Sequence, residues 1–443
     1  FENLRMRLSF KFPLLVLIIG FVFVFILVVQ IWLQSIGLGQ ESGQFARKES
    51  FLSLNDKEID EVSKNCIGQD ITLDNFYEVL NRWSKTRIFS CRTAYDVFSR
   101  LFYFRESDTE VLLSETFSQT VLKWFNGNKD LLEKTKQQFI LVMMNKYTKD
   151  ATLINPLRNK RPGFAGGPDV DKYVKRIVEE SRGDCDFCNY QKQSGMDTFG
   201  YLQSEHSVTI ANTFKIERFH GLGLWKHHNP LEFNEDQFLD LMELSQKWFR
   251  KCYEIDETFT LPSLLWDILP KASASQIHPH IHMFVSKDFY FAGWEKIFRA
   301  ADEYKLTKGR NYFNDLITIH TILKLNITFG DAVAYVSLTP SVSYEVVIVS
   351  KRPGNDLFKL FYRIMKAFMK MKLYAVTAGA VFPPLIEDST TPKKDIPCII
   401  RIVNRGAVDK MRSDISSMEL FGSGNINVDF WDFRNKLLQN LEK

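Results

Sequence analysis

The chain has 443 residues, of which 45% are hydrophobic and 25% charged, with a formal net charge of +4. That length allows two or three domains, each with a buried core. So mild a positive balance gives no basic footprint, and nucleic acid is not an expected partner.

Residues 1–12 carry Arg5, Arg7 and Lys11, and residues 13–33 carry no charge at all. An uncharged apolar run of that length spans a bilayer as a helix, and it predicts a transmembrane anchor over 13–35. A cleaved signal peptide is the competing reading; it calls for a shorter apolar core ending in a small-x-small site. The flank after the span mixes Glu41 and Glu49 with Arg47 and Lys48. The positive bias therefore lies before the span, which predicts a cytosolic N-terminus and a single-pass type II protein of the ER or Golgi with its catalytic domain in the lumen. The Asn326-Ile327-Thr328 sequon is compatible with that placement. Six cysteines stand at 66, 91, 185, 188, 252 and 398. In a lumenal compartment Cys66 and Cys91 can pair; unpaired core thiols are an equal reading.

Residues 36–50 read as a short polar stalk. Residues 51–150 carry apolar side chains at spacings of three to four, which predicts a helical region for packing or partner binding. A Pro-, Gly- and Arg-rich loop and a helix over 169–182 follow. The β-branched run at 207–216 predicts a strand. Residues 234–255 read as a helix capped by Asn234, and 258–269 and 277–286 as two more strands. The region 330–405 repeats this rhythm, with strands at 332–340, 344–352 and 398–406 and a helix over 356–371. The tail, 411–443, ends in an amphipathic stretch.

The densest chemistry lies at His278, His280 and His282. Alternation puts all three imidazoles on one face of an extended segment. The small residues Ala272, Ser273, Ala274 and Ser275 let a phosphate approach the backbone closely. A cluster of surface histidines or a chance metal tract is the plain alternative. Upstream, Cys185 and Cys188 form a CxxC. Two thiolates so spaced can bind a tetrahedral zinc ion, and they can equally form a disulfide or a redox pair.

The stretch Lys271-Ala-Ser-Ala-Ser-Gln-Ile-His-Pro-His-Ile-His282 resembles the histidine-triad superfamily, and within it the galactose-1-phosphate uridylyltransferase and dinucleoside-polyphosphate phosphorylase branch. It departs from the branch twice: Ser273 stands where Gly is usual, and His282 where Gln is usual. The resemblance implies an α+β fold. Two histidine-triad-like repeats, 151–290 and a degenerate 291–410, would form one extended, mostly antiparallel sheet with helices packed on it. It also implies His280 as nucleophile; histidine in place of Gln at 282 is the arrangement of the triad hydrolases, and His282 can donate a proton to the leaving oxygen. Substrate would be bound by Lys271, Ser273, Ser275, Gln276 and Asp267. Asn155, Arg158 and Arg161 join them through a similarity to the branch's opening segment. A structural zinc ion would be held by Cys185, Cys188, His228 and His278, with His227 and His220 as alternatives to His228.

The function so implied is cleavage of a nucleotide sugar or dinucleotide through a nucleotidyl-histidine, by transfer, phosphorolysis or hydrolysis. Further partners would be the membrane, through the N-terminal helix, and a second copy of the chain in a homodimer. The rival reading is a catalytically degenerate binding or scaffold protein at an endomembrane. A thiol oxidoreductase using Cys185 and Cys188 lacks a thioredoxin-like context.

Overall fold

A computed structural model describes residues 52–68, 70–160, 169–386, 396–410 and 417–441. Three helices come first: α1 (Asp56–Cys66), α2 (Phe76–Lys85) and α3 (Phe89–Leu101). A Cys66–Cys91 disulfide ties α1 to α3. Strands β1 (Phe102–Glu110) and β2 (Gln137–Asn145) pair antiparallel and enclose α4 (Glu115–Trp124) and α5 (Lys129–Lys136). Next come β3 (Ala151–Ile154), α6 (Val170–Glu180) and the short α7 (Tyr190–Gln193). The following unit is β4 (Ser207–Ala211), β5 (Phe219–Trp225), α8 (Glu235–Ile255), β6 (Leu261–Asp267) and β7 (His280–Ser286). Helices α9 (Ala292–Lys308) and α10 (Tyr312–Ile322) connect it to β8 (Asn326–Phe329), β9 (Ala332–Val336), β10 (Val346–Ser350), α11 (Asn355–Lys370), β11 (Val376–Val381) and β12 (Cys398–Asn404). The chain closes with β13 (Ser423–Ile426) and α12 (Phe430–Asn440).

Nine strands form one sheet in the order β4-β5-β7-β6-β11-β12-β10-β9-β8, and every pairing in it is antiparallel. Outward from the central β6–β11 seam, one half runs β6, β7, β5, β4 and the other β11, β12, β10, β9. In chain order each half is two strands, a long helix and two strands. The halves are therefore related by an approximate two-fold rotation, and β12 occupies in the second half the place of β7 in the first.

The two faces of the sheet are set by period-two alternation. In β7, Ile281, Met283 and Val285 are fully buried on the side of α8. Their cross-strand partners in β5 include Gly221 opposite Met283 and Gly223 opposite Ile281. A Cβ on Gly221 would lie 2.7 Å from Trp248, and one on Gly223 2.8 Å from Leu241, both side chains of α8. These two glycines let α8 settle close to the sheet. The helix is capped by Asn234, whose side chain accepts from the Gln237 amide while Gln237 returns a bond to the Asn234 amide. Its buried stripe includes Phe238, Leu241, Met242, Trp248 and Phe249.

A second sheet of four strands, β1-β2-β3-β13, is built by the N-terminal region and the tail. This corrects the expectation that 51–150 is helical. The stretch around Phe139–Met144 is apolar at every position, so it satisfies a helical period as well as a strand's, and its packing settles it as β2.

The expected transmembrane anchor over 13–35 lies outside the described residues, as do residues 1–12 and the stalk. Among the described residues no helix is long and apolar enough to cross a membrane. The single-pass type II placement with a lumenal catalytic domain is corrected accordingly.

If Gly221 and Gly223 set the approach of α8, Gly221→Val should overpack the interface with Trp248. The expected cost is about 1–3 kcal/mol, read as a lowered urea midpoint with an unchanged slope.

Candidate functional site

On β7 the residues facing away from α8 are His280, His282 and Phe284. Their partners on β5 are Leu224, Leu222 and His220. This histidine face is covered by the segment between α6 and β4. Phe187, Tyr190 and Tyr201 of that segment pack on Val208, Ile210, Leu222 and Leu224.

What fixes the covering segment is a cluster of four donors. One ligand atom from each of Cys185, Cys188, His228 and His278 lies within 4.8 Å of the others. His278 Nδ1 is 3.5 Å from both sulfurs, and His228 Nδ1 is 3.3 Å from Cys188 Sγ. A tetrahedral zinc ion with bonds of about 2.3 Å to sulfur and about 2.1 Å to nitrogen has sulfur–nitrogen edges of about 3.6 Å, so the four residues fit such an ion. Both rings are aimed by backbone carbonyls. His278 Nε2–H donates to Trp225 O at 2.7 Å and His228 Nε2–H to Val178 O at 3.1 Å, which leaves each Nδ1 bare for a metal. The two cysteines are free thiols, so the disulfide alternative is not realised. Burial, then the adjacent Cys185, pushes the Cys188 thiol up to about 11.

The cluster reaches the middle histidine through Phe187, which lies between the two cysteines. Its ring packs edge-on against His278 at 5.9 Å and against His280 at 5.1 Å. His280 Nδ1–H donates to the His278 carbonyl at 2.8 Å. A carbonyl can only accept, so the proton sits on Nδ1 and the lone pair on Nε2. Burial lowers the pKa of His280, which keeps the ring neutral.

His282 is held by a fourth histidine. His282 Nδ1 lies 3.0 Å from His220 Nε2, and the His220 ring stacks on Phe284 at 4.2 Å. The Phe214 amide donates to Asn212 Oδ1 at 2.8 Å, which turns Asn212 Nδ2 towards His220 Nε2 at 3.2 Å. That nitrogen is therefore an acceptor, and the shared proton belongs to His282 Nδ1. The Ile216 amide, 3.4 Å from His220 Nδ1, favours the opposite tautomer; the shorter contact with the fixed amide decides. His282 thus has its Nε2 bare. Burial lowers both rings to about 4, helped by Lys215 for His220 and by the neighbouring His280 and His220 for His282.

His220 entered the sequence reading only as an alternative metal ligand. The signal was present, because His220, Leu222 and Leu224 alternate, but using it required the register of β5 on β7.

The loop from β6 to β7 is strained. Leu269 and Ser273 both have positive φ, of 69° and 78°. Ser273 adopts the left-handed conformation that glycine holds without cost, at the position where the resembling family has Gly. Ser273 and Ser275 are exposed and Gln276 is half-buried, just ahead of His278. Asp267 pairs with Thr377 and shares the histidine face with Leu265. Burial raises its carboxyl, against a hydrogen bond from Thr377 and the charge of Arg405. Lys271 Nζ donates to Lys410 O at 2.7 Å. Asn155 and Arg158 face the four-stranded sheet and its end. Asn155 Nδ2 donates to Gln138 Oε1 at 2.7 Å, and Arg158 Nε to Asn427 Oδ1 at 3.3 Å. Arg161 lies outside the described residues.

No protein-family description and no curated protein matches the sequence. Among solved structures the chain is similar to an ADP-glucose phosphorylase from Arabidopsis thaliana with bound ADP-glucose: 12% identity, TM-score 0.48, covering 67% of this chain and 97% of that one. It is similar to a uridylyltransferase at 12% identity and TM-score 0.48, covering 68% of this chain and 99% of that one. A yeast Ap4A phosphorylase in complex with Ap4A follows at 11% identity and TM-score 0.30, covering 74% and 94%.

The depressed histidines make stability depend on pH. His220 and His282 bind protons near pH 4 when folded, against an ordinary value of 6.5. Between these values the unfolded chain holds more protons, so stability is full above about pH 6.5 and is lost as pH falls towards 4. Denaturant titrations at pH 7 and 5 should show this loss, and His220→Gln/His282→Gln should reduce it. Separately, Ser273→Gly should relieve the left-handed strain and stabilise the chain by up to about 1 kcal/mol, measured as a rise in melting temperature.

Proposed function

We propose that this chain is a nucleotidyl-transferring enzyme that cleaves a nucleotide sugar or dinucleotide through a nucleotidyl-histidine on His280. The observation that carries the reading is the aim of His280. Its Nδ1–H is fixed on the His278 carbonyl, so a neutral ring presents the lone pair of Nε2. An uncharged nucleophile can approach a phosphoanhydride without the charge repulsion an anion meets.

In the first half-reaction His280 Nε2 bonds to the α-phosphorus while the bond from phosphorus to the leaving oxygen breaks. The anionic substrate beside His282 raises its pKa from the low value of the empty site, so Nε2 takes up a proton and gives it to that oxygen. In the second half-reaction an acceptor oxygen bonds to phosphorus and the phosphorus–nitrogen bond breaks. His282 Nε2 takes the acceptor's proton and is ready for the next cycle. His220 holds His282 through Nδ1–H, much as the acid of a catalytic triad holds its base. Ser275, Gln276 and the loop amides ahead of His278 would bind the non-bridging oxygens. Asp267 and Lys271 flank the same loop.

A glutamine at position 282 could neither give nor take that proton. The His220–His282 pair therefore favours water or phosphate as acceptor over a sugar phosphate. The uridylyltransferase and the two phosphorylases agree with either class of donor. The proposed metal is zinc. It would be structural, since Cys185, Cys188, His228 and His278 leave no open position, and its chemistry is to fix Phe187 and the entry to β7.

One observation favours the rival reading of a nucleotide-binding protein without turnover: Phe187 lies on His280, which is 5% exposed. Exchange of labelled leaving group into the donor separates the two. Exchange that is present in the native chain and absent in His280→Ala supports the covalent route; no exchange with any donor supports the binding protein. His282→Gln should slow turnover by about 10²–10³-fold while a nucleotidylated enzyme accumulates. Cys185→Ser should lower bound zinc, by elemental analysis, from about one per chain towards none.

A further inference from the structure

The histidine face continues across the β6–β11 seam. His282 pairs with Leu265, Leu265 with Gly379, Gly379 with Arg401, Arg401 with Val347 and Val347 with Tyr335. Arg401 therefore stands on the same face as the histidines, on the strand that takes the place of β7 in the second half. That half has no histidine on β12, and its face carries Arg401 and Tyr335 among the apolar Val347, Val349 and Ile399. The N-terminal region and α10 roof it, with Phe102 of β1, Asn145 of β2 and His320 of α10 among the walls of a cavity of about 60 Å³. A water needs roughly 10–15 Å³ measured in this way, so there is room for a group of several heavy atoms.

The donors and acceptors that line this cavity are only partly paired with one another. Glu345, 2% exposed in its side chain, takes Arg401 Nη2 at 2.9 Å and the Ser341 amide and hydroxyl at 3.0 Å each, all on Oε2. Asp150, at the rim, is paired with Lys296. His320 donates through Nδ1 to Leu316 O and accepts the Leu338 amide on Nε2. Each carboxylate keeps one oxygen open among the described residues, Glu345 Oε1 and Asp150 Oδ2, and beside them donors are left over. Among the described residues Arg401 Nε and Nη1 have no partner, and neither does the hydroxyl of Tyr335, a residue 5% exposed. Thr339 adds a further hydroxyl to the wall. Water brings as many donors as acceptors, whereas an oxyanion brings acceptors alone and matches a guanidinium edge with two oxygens.

We propose that this cavity binds a small oxyanion, a phosphate or carboxylate group, on the free edge of Arg401 and the Tyr335 hydroxyl. The site is separate from the proposed nucleotidyl-histidine and does not depend on it. It also gives residues 51–150 a role, since they convert an open half-sheet into a binding cleft.

The test is calorimetric titration of the full chain with inorganic phosphate and, in a second arm, with acetate. The native chain and His280→Ala should bind at least one of the two anions, and the arm that gives heat identifies phosphate or carboxylate as the group. Tyr335→Phe and Arg401→Lys should each bind it about tenfold more weakly, with Tyr335→Phe unfolding at the native temperature. No heat from either anion in the native chain would overturn the proposal. So would equal affinity in Tyr335→Phe and the native chain, or loss of binding in His280→Ala, which would place the anion at the histidines.

Discussion

The site depends on the convergence of Cys185, Cys188, His228 and His278 at one point. These donors come from a turn after α6, the loop after β5 and the loop before β7. The β5–β7 ladder reaches the last two, with Trp225 N donating to Pro279 O, but among the described residues no backbone bond ties the cysteine turn to either. Four donors on one ion are worth many hydrogen bonds, and folding free energy drawn from a metal is typically about 10–16 kcal/mol in small zinc modules. Once the turn is pinned, Phe187 between the two cysteines has one place to go, against His278 and His280. His278 serves twice, since its side chain points to the metal cluster while its carbonyl fixes the His280 tautomer. A change in the cluster is therefore felt at His280 through two atoms of a single residue.

The sheet divides its labour between its faces. The face towards α8 and α11 is apolar and closely packed, and the two glycines of β5 set the distance. The opposite face carries the histidines in the first half and the Arg401–Glu345 pair in the second. A shift of register by one residue on β7 would exchange Ile281 and Met283 for His280 and His282 and bury two imidazoles under α8. Register is thus specified strongly by the core, and the core in turn holds the histidines on the open face.

Much of this was legible in the sequence, for reasons that can be named. Alternation places His280 and His282 on one side of β7, with His278 in the loop ahead of it, and the CxxC restricts its own chemistry to a few choices. The resemblance at 271–282 supplied the grouping of distant ligands, which spacing alone cannot. Elements with weak local signals were missed. Strand β5 contains two glycines needed for packing and so lacks a strand's composition, and β11, Val376–Val381, is rich in Ala and Gly. The β1–β2 ladder was hidden because its apolar run fits both periods. His220 was invisible as a partner of His282 because they meet only through the pairing of β5 with β7. The left-handed Ser273 shows the reverse case: a departure from the family's Gly in sequence reappears as strain in the structure.

The central claim is that His280 carries a nucleotidyl group during the reaction, and intact mass measures that directly. The native chain should be incubated with nucleotide sugars and dinucleotides in parallel with His280→Ala. A gain of one nucleoside monophosphate in the native chain, absent from the variant, is the predicted result. An unmodified native mass alongside product formation, or an equal gain in His280→Ala, would contradict the account.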